Sequence, residues 1–213
     1  TIKFSKDSNL QIIGKNALSA TLIESFRIPS YLIELSEMVF YESTNLNHIN
    51  VNPDNLRYCS YDGKFILGKS SIKQENYNQI IFCDRNIKKV LIPSFIEHIC
   101  SCAFDGCNKL QIVEFPCNSM LKTINEKAFS STAIKSISIP SQVTFIGESA
   151  FKYCYELTKI NIESDSKLKI IEMNAFNNTK IESIVIPSQV STINAFIFYS
   201  CKKLKIVEIH ENS

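Results

Sequence analysis

The sequence IPSQVTFIGESAFKYCYELTKINI, residues 139–162, recurs 47 residues later as IPSQVSTINAFIFYSCKKLKIVEI, residues 186–209. Both copies begin with Ile-Pro-Ser-Gln-Val and share an isoleucine, a phenylalanine, a cysteine and a leucine at the same spacing. Positions that recur in phase along a chain indicate a protein built from stacked, similar units. These two copies therefore predict a repeat architecture.

Seven units carry a two-residue anchor, which is Ala-Phe or an equivalent apolar pair. The anchors are Ala17-Leu18, Val39-Phe40, Ala103-Phe104, Ala128-Phe129, Ala150-Phe151, Ala175-Phe176 and Ile197-Phe198. Outside the gap between the second and third anchors, successive anchors lie 22 or 25 residues apart, so the true period is a pair of unequal units. Five residues before each second anchor residue stands an aliphatic residue: Ile13, Leu35, Ile99, Ile124, Ile146, Ile171 and Ile193.

Each unit continues into a segment with the pattern L-x-x-I-x-I, which predicts a β-strand. The last two aliphatic residues are two positions apart, so their side chains point to the same face of a strand. Proline follows five of these eight segments and marks the end of the strand, because it has no N–H for a β-ladder. The segments are Ile23-Phe26-Ile28, Leu46-Ile49-Val51, Ile87-Val90-Ile92, Leu110-Val113-Phe115, Ile134-Ile137-Ile139, Leu157-Ile160-Ile162, Ile181-Ile184-Ile186 and Leu204-Val207-Ile209.

These patterns predict an α/β repeat fold, a single solenoid of about eight coils that spans residues 1–213. We expect a parallel β-sheet on the concave face and short helical or irregular turns on the convex face. Residues 52–86 interrupt the repeat and are interpreted as a degenerate unit with a β-hairpin at Asp62-Gly63, which projects from the solenoid. The anchor phenylalanines should stack inside the solenoid: Phe40, Phe104, Phe129, Phe151, Phe176 and Phe198.

The units from Ile139 to Ile162 and from Ile186 to Ile209 resemble the BspA-like leucine-rich repeats. The stretch from Asn52 to Gly68 resembles a hairpin insertion that is often found among them. The resemblance implies a leucine-rich-repeat solenoid that acts as a non-enzymatic interaction module. It further implies a cell-surface or extracellular protein of a bacterium or parasitic protist, which attaches to host proteins, host cells or other microbes.

Composition and motifs argue against several other classes of protein. The formal net charge of +2 gives no electrostatic footprint for nucleic acid. The apolar runs are far shorter than the roughly 20 residues of a membrane span, so no membrane insertion is expected from this segment. No nucleophile, phosphate-loop or dinucleotide motif occurs, and therefore no catalytic residue and no cofactor are predicted. No metal is predicted either, because Cys100, Cys102, Cys107 and Cys117 lack a standard zinc spacing.

The cysteines leave the cellular location open. Cys107, Cys154 and Cys201 each lie three residues after an anchor phenylalanine, in a slot that elsewhere holds threonine or serine. Such a slot indicates structural packing. Cys59 and Cys83 flank the predicted hairpin and could form a disulfide in an oxidising compartment. Eight cysteines with few plausible partners favour the alternative of an intracellular, cytoplasmic leucine-rich-repeat scaffold.

The candidate binding residues alternate with the core residues of the predicted strands and therefore point to the concave face. We expect this face to bind a protein or glycan ligand. Its exposed aliphatic residues could anchor a partner, although single exposed aliphatic residues are also common on surfaces without a function. The candidates are Arg27, His48, Asn50, Lys89, Leu91, Ile112, Glu114, Ser136, Ser138, Lys159, Asn161, Ser183, Val185, Ile206 and Glu208.

Overall fold

The computed structural model describes residues 2, 4–5, 8–163 and 165–209, and over these ranges the chain consists of short β-strands and turns. The strands are β1 (Ile12–Ile13), β2 (Ser25–Ile28), β3 (Glu34–Leu35), β4 (His48–Val51), β5 (Tyr58–Tyr61), β6 (Phe65–Gly68), β7 (Gln79–Cys83), β8 (Lys89–Leu91) and β9 (His98–Ile99). They continue as β10 (Ile112–Glu114), β11 (Thr123–Ile124), β12 (Ser136–Ile139), β13 (Phe145–Ile146), β14 (Lys159–Ile162), β15 (Ile170–Ile171), β16 (Ser183–Ile186), β17 (Thr192–Ile193) and β18 (Ile206–Ile209).

The L-x-x-I-x-I segments form parallel strands that stack coil on coil, as the repeat predicts. Strands β8, β10, β12 and β14 form one sheet, while β2 pairs with β4 and β16 pairs with β18. Within β12 and β14, exposed and buried residues alternate. The same repeat positions face each other across coils, for example Ile137 and Ile160. The alternating pattern arises because one face of each strand covers the shared core.

A second sheet, which the sequence analysis did not predict, lies along the aliphatic residues that precede each anchor. Its eight strands have the order β17-β15-β13-β11-β9-β7-β6-β5, and β1 pairs separately with β3. The strands of this sheet that lie outside the insertion are only two residues long, as in Phe145–Ile146. A strand of two residues shows no alternating pattern in the sequence, so periodicity could not reveal it.

The turns around the anchors are not helical, and the α/β class was therefore wrong. The residues two before and two after each second anchor residue adopt positive φ, for example Lys127 (53°) and Ser131 (57°) around Phe129. Each turn thus contains two left-handed residues four positions apart, and these prevent a right-handed helix from forming. The backbone donors of the turn instead reach the next coil. Phe129 N–H donates to the Ala150 carbonyl at 2.8 Å, and Ser131 N–H donates to the Lys152 carbonyl at 2.9 Å.

The predicted phenylalanine column is confirmed over the five coils that follow the insertion. The ring centroids of Phe104, Phe129, Phe151, Phe176 and Phe198 are successively 4.7, 5.3, 5.7 and 6.0 Å apart, with near-parallel planes. Burial of aromatic rings in a stacked arrangement stabilises the interior through apolar area and dispersion. The column gives the C-terminal coils one continuous core.

The sixth ring of the predicted column, Phe40, belongs to a different cluster. Its ring packs edge to face on Phe26 at 5.2 Å and on Phe82 at 6.1 Å, within the core of the N-terminal coils. Phe104 is contacted instead by Phe65, at 6.3 Å. Phe65 and Phe82 both come from the interrupting segment, which therefore separates Phe40 from the other five rings.

The hairpin at Asp62-Gly63 is present but does not project from the solenoid. Both turn residues have positive φ, 52° and 60°, and the pairing of Tyr61 with Phe65 leaves a three-residue loop that ends at Lys64. Strands β5, β6 and β7 form an antiparallel meander, and β7 pairs in parallel with β9, so the insertion is part of the second sheet. Phe65 and Leu67 pack in the C-terminal core, while Ile66 packs in the N-terminal core. The insertion thus separates the hydrophobic core of the N-terminal coils from that of the C-terminal coils.

At Gly147 the backbone lies close to the preceding coil, so a substitution there tests how tightly the coils stack. A Cβ on Gly147 would lie 2.7 Å from the backbone carbon of Asn125 in the preceding coil, which is too close without a backbone shift. Gly147→Ala should therefore lower the free energy of unfolding by about 1–3 kcal/mol, the usual cost of overpacking. Gly14 occupies the same repeat position with nothing within 4 Å of its Cβ site, so Gly14→Ala is the matched control. Equal urea midpoints for the two variants would contradict this packing.

Candidate interaction surface

The 15 candidate residues lie on one face of the stacked strands, and this set is called the long-strand face below. Of the 15, 14 are exposed, and the exception is Val185. Val185 was predicted to be exposed but is half-buried beside Glu208 of the next strand. Val185 is therefore a weaker anchor than the pattern suggested.

The strand register places the candidates in rows that run across the coils. One row consists of Lys89, Ile112, Ser136 and Lys159, each directly opposite the next. A parallel row contains Ser138 opposite Asn161. Because adjacent strands are about 4.8 Å apart, a row of four spans roughly 15 Å of surface. This row is long enough to contact an extended ligand.

The strands that carry the long-strand face do not form one continuous ladder. The pairing breaks into three groups of two, four and two strands. The insertion accounts for the first break, because the chain forms β5 to β7 between β4 and β8. A cleft of about 160 Å³ lies between β4 and the hairpin, and it is lined in part by the candidates His48 and Asn50.

The exposed chemistry of the long-strand face is a mixture of polar and aliphatic groups. Leu91, Ile112 and Ile206 are 57%, 46% and 50% exposed. Ile206 lies on β18, where every residue of the strand is exposed, so its exposure is not specific. Lys89 and Glu114 form an ion pair at 2.7 Å, and both are well exposed. Exposed pairs contribute only about 0–1 kcal/mol, so these charges remain accessible to a ligand at little cost.

The cysteine slot has a structural role that explains its composition. Cys154 Sγ donates to the Phe129 carbonyl at 3.1 Å, and Cys201 Sγ donates to the Phe176 carbonyl at 3.1 Å. Ser43 Oγ donates to the Leu18 carbonyl in the same way. In these three units the slot holds a small side chain whose donor links the coil to the previous anchor, whereas Thr132 Oγ1 donates to the carbonyl of its own anchor, Phe129.

All eight cysteines are free, including Cys59 and Cys83, which the sequence analysis considered as a possible disulfide. Burial raises the pKa of the Cys154 thiol to about 11 and the pKa of the Cys100 thiol to about 12. These thiols are therefore protonated at neutral pH, whereas the nucleophilic form is the thiolate. The arrangement is that of packing residues.

The histidines are placed without a metal-binding arrangement in the described ranges. His48 is exposed, as predicted. Nδ1 of His98 lies 2.9 Å from Thr123 Oγ1, and burial lowers the pKa of this imidazole. Within residues 8–163 and 165–209, no three His, Cys, Asp or Glu side chains are grouped as metal ligands would be. His210, the third histidine, lies outside the described residues.

A family model described as the BspA type Leucine rich repeat region matches residues 1–81 and 75–205, with six copies of the repeat. The chain belongs to this family. The predicted resemblance is confirmed, and the observed form of the repeat is a β-solenoid of stacked parallel strands. No curated protein matches the sequence. In the described part of this BspA-type chain, no helix has the length and hydropathy needed to cross a membrane.

Several solved structures share this fold with the BspA-type chain. A leucine-rich repeat protein from Eubacterium ventriosum is 20% identical over 93% of this chain and 52% of its own, with a TM-score of 0.77. The pneumococcal vaccine antigen PcpA is 20% identical over 98% of this chain and 51% of its own, with a TM-score of 0.62. The T. pallidum leucine-rich repeat protein is 20% identical over 97% of this chain and 77% of its own, with a TM-score of 0.54. The chain spans about half the length of the first two.

Proposed function

We propose that this BspA-type chain is a non-enzymatic protein-interaction module that binds a protein or glycan ligand through the long-strand face. The observation that supports this most directly is the row Lys89, Ile112, Ser136 and Lys159, which is exposed and held in register by the core beneath it. A rigid surface loses little conformational entropy on binding, which favours affinity. Repeat solenoids generally use such extended surfaces for recognition.

The proposed setting is a cell surface, where the module would act in adhesion or host recognition. Support comes from the BspA-type family and from the similarity of the fold to PcpA, a pneumococcal vaccine antigen. At 20% identity this similarity concerns the fold alone. The long-strand face offers a ligand a mixture of polar and aliphatic groups.

The second candidate is an intracellular scaffold built from the same repeats. The observation in its favour is that all eight cysteines are free, since disulfides are common in secreted proteins and rare in the cytosol. In that setting the long-strand face would bind an intracellular protein.

The proposal predicts that negative charge placed on the row weakens ligand binding. The double variant Ile112→Asp, Lys159→Glu changes two exposed residues of the same row, and it should bind at least about tenfold more weakly, equivalent to about 1.4 kcal/mol. Binding would be measured on purified extracellular-matrix proteins and on an oligosaccharide array. The charge-matched control is Tyr155→Asp, Lys202→Glu, two exposed residues in the turns, which should bind as the wild type does. Equal losses in both variants would refute the assignment to this face.

A further inference from the structure

A groove of about 660 Å³ lies where the insertion meets the second sheet, and it shares no residue with the long-strand face. Three parts of the chain form its walls. They are the hairpin residues Cys59, Tyr61 and Leu67, the loop residues 74–78, and Phe95, Glu97 and Met120 from two successive coils. A volume of this size is typical of sites that bind a small molecule or a single large side chain.

One wall of the groove is aromatic and accessible. Tyr61 and Phe95 are each 39% exposed, and their rings meet edge to face at 5.7 Å. Met120 is 49% exposed and lies beside them. Aromatic residues and methionine are enriched in the cores of protein interfaces relative to other surfaces. The wall therefore has the composition of a recognition site.

The repeat itself provides a comparison for Phe95 and Met120. Both stand directly before a buried aliphatic residue in the loop that leads into a strand of the second sheet, Ile96 and Leu121 respectively. In the three later coils the same position holds Gln142, Lys167 and Gln189, and Lys167 Nζ donates to Gln142 Oε1 at 2.7 Å. The fold thus accepts polar residues at this position. Among the five coils that follow the insertion, apolar residues stand at this position only in the two that line the groove, so these coils do not require them. In an N-terminal coil the position holds Tyr31.

The groove is acidic although the whole chain has a net charge of +2. Its walls contain two carboxylates, Glu75 and Glu97, and no lysine or arginine. Glu97 Oε2 accepts hydrogen bonds from Lys122 Nζ at 2.9 Å and from Asn78 Nδ2 at 3.3 Å. The hydrogen bond from Lys122 is the main reason that the pKa of this carboxyl is lowered, so Glu97 is ionised at neutral pH. Lys122 offsets part of this charge through its ion pair with Glu97 Oε2, and Lys69 Nζ lies 5.0 Å from the ring centroid of Tyr77, which lines the groove.

We propose that this groove binds a lysine or arginine side chain presented by a protein partner. The aliphatic stem of such a side chain would pack on Tyr61, Phe95 and Met120, and its cationic group would meet Glu75 and Glu97. The ring faces add attraction for the cation. This site is additional to the function proposed for the long-strand face, and either one can fail without the other.

The three methionines make the groove directly observable by NMR. Met120 lines the groove, whereas Met38 and Met173 lie outside it. In protein labelled with ¹³C at the methionine methyl groups, N-acetyl-lysine methylamide and N-acetyl-arginine methylamide should shift Met120 saturably at roughly millimolar concentration. N-acetyl-norleucine methylamide, which lacks the charge, and the disaccharide lactose should leave Met120 unshifted.

Two variants assign the binding to the two proposed features of the groove. Glu97→Gln removes the ionised carboxylate, and Phe95→Gln introduces the residue found at the same position in later coils. Each should weaken lysine binding at least about tenfold while the Met38 and Met173 signals stay unchanged, which shows that the fold is intact. Glu163→Gln, an exposed carboxylate remote from the groove walls, should have no effect.

Three outcomes would overturn the proposal. A Met120 signal that responds to neither the lysine nor the arginine compound would show that no basic side chain binds there. An equal response to norleucine would show an apolar site in which charge plays no part. A response to lactose in preference to the basic compounds would assign the groove to glycans.

Discussion

Replacement of Phe151 by alanine should lower the free energy of unfolding by about 3–5 kcal/mol. The side chain is fully buried and stacks between Phe129 at 5.3 Å and Phe176 at 5.7 Å. Its removal loses the transfer free energy of the ring and leaves a cavity in the middle of the column. The backbone of the two neighbouring phenylalanines is hydrogen-bonded to the next coil, as in Phe129 N–H to the Ala150 carbonyl. Their rings therefore cannot move far enough to fill the space. Urea unfolding followed by circular dichroism measures the loss.

The control for Phe151 is the same substitution at a phenylalanine outside the core. Phe196 lies in the turn of the last coil and is 62% exposed, so Phe196→Ala should change stability by no more than about 0.5 kcal/mol. Phe151→Leu should fall between the two, because leucine refills part of the cavity. Coincident unfolding curves for Phe151→Ala and Phe196→Ala would contradict the buried column.

The stacking register was predictable from the sequence because the core positions themselves repeat. Aliphatic residues that recur in phase must face the same interior, which fixes which residues lie opposite each other, such as Ser136 and Lys159. The same argument gave the exposed side of each strand, since side chains alternate with period two. Most of the long-strand face follows from these two rules.

The prediction of helical turns was wrong because the buried residues of each turn have the spacing of a helix. Ile146, Ala150, Cys154 and Leu157 are spaced by four, four and three residues, which is the spacing of an amphipathic helix. The backbone instead turns through left-handed residues such as Ser149 and Tyr153, at φ of 56° and 62°. The hydrogen bonds that stabilise this conformation reach the neighbouring coil, and contacts between coils are invisible to a local pattern.

The groove beside the insertion could not be predicted from the sequence either, because contacts between distant parts of the chain form it. Tyr61, Glu75 and Met120 come from a hairpin, a loop and a later coil, and only the pairing of β7 with β9 brings them together. One signal was available. The position before the buried aliphatic residue is apolar at Phe95 and Met120 but polar in the next three coils. A departure from the repeat that the fold does not need is a reason to look for a partner.

Asn55→Ala should destabilise the N-terminal coils by about 2–4 kcal/mol, because this buried amide holds the insertion to them. Its Nδ2 donates to the Pro29 carbonyl at 2.6 Å and to the Leu32 carbonyl at 2.9 Å. Its Oδ1 accepts from the backbone N–H groups of Arg57 and Tyr58 at 2.9 and 2.7 Å. Alanine removes a partner from these four backbone groups, of which the Pro29 carbonyl keeps a bond from Leu32 N–H at 3.3 Å. Each buried group left unsatisfied costs roughly 1–3 kcal/mol before water enters.

Hydrogen exchange can show where the stability of the Asn55 variant is lost. The N-terminal coils have a core cluster of their own, and repeat proteins open locally, so amides of β2 and β4 should lose protection. Amides of β12 and β14, which cover the C-terminal core, should keep their protection. Asn118→Ala, at an exposed asparagine, should leave both regions unchanged. An equal loss of protection in both regions would mean that the two cores unfold as one unit and that the insertion does not separate them.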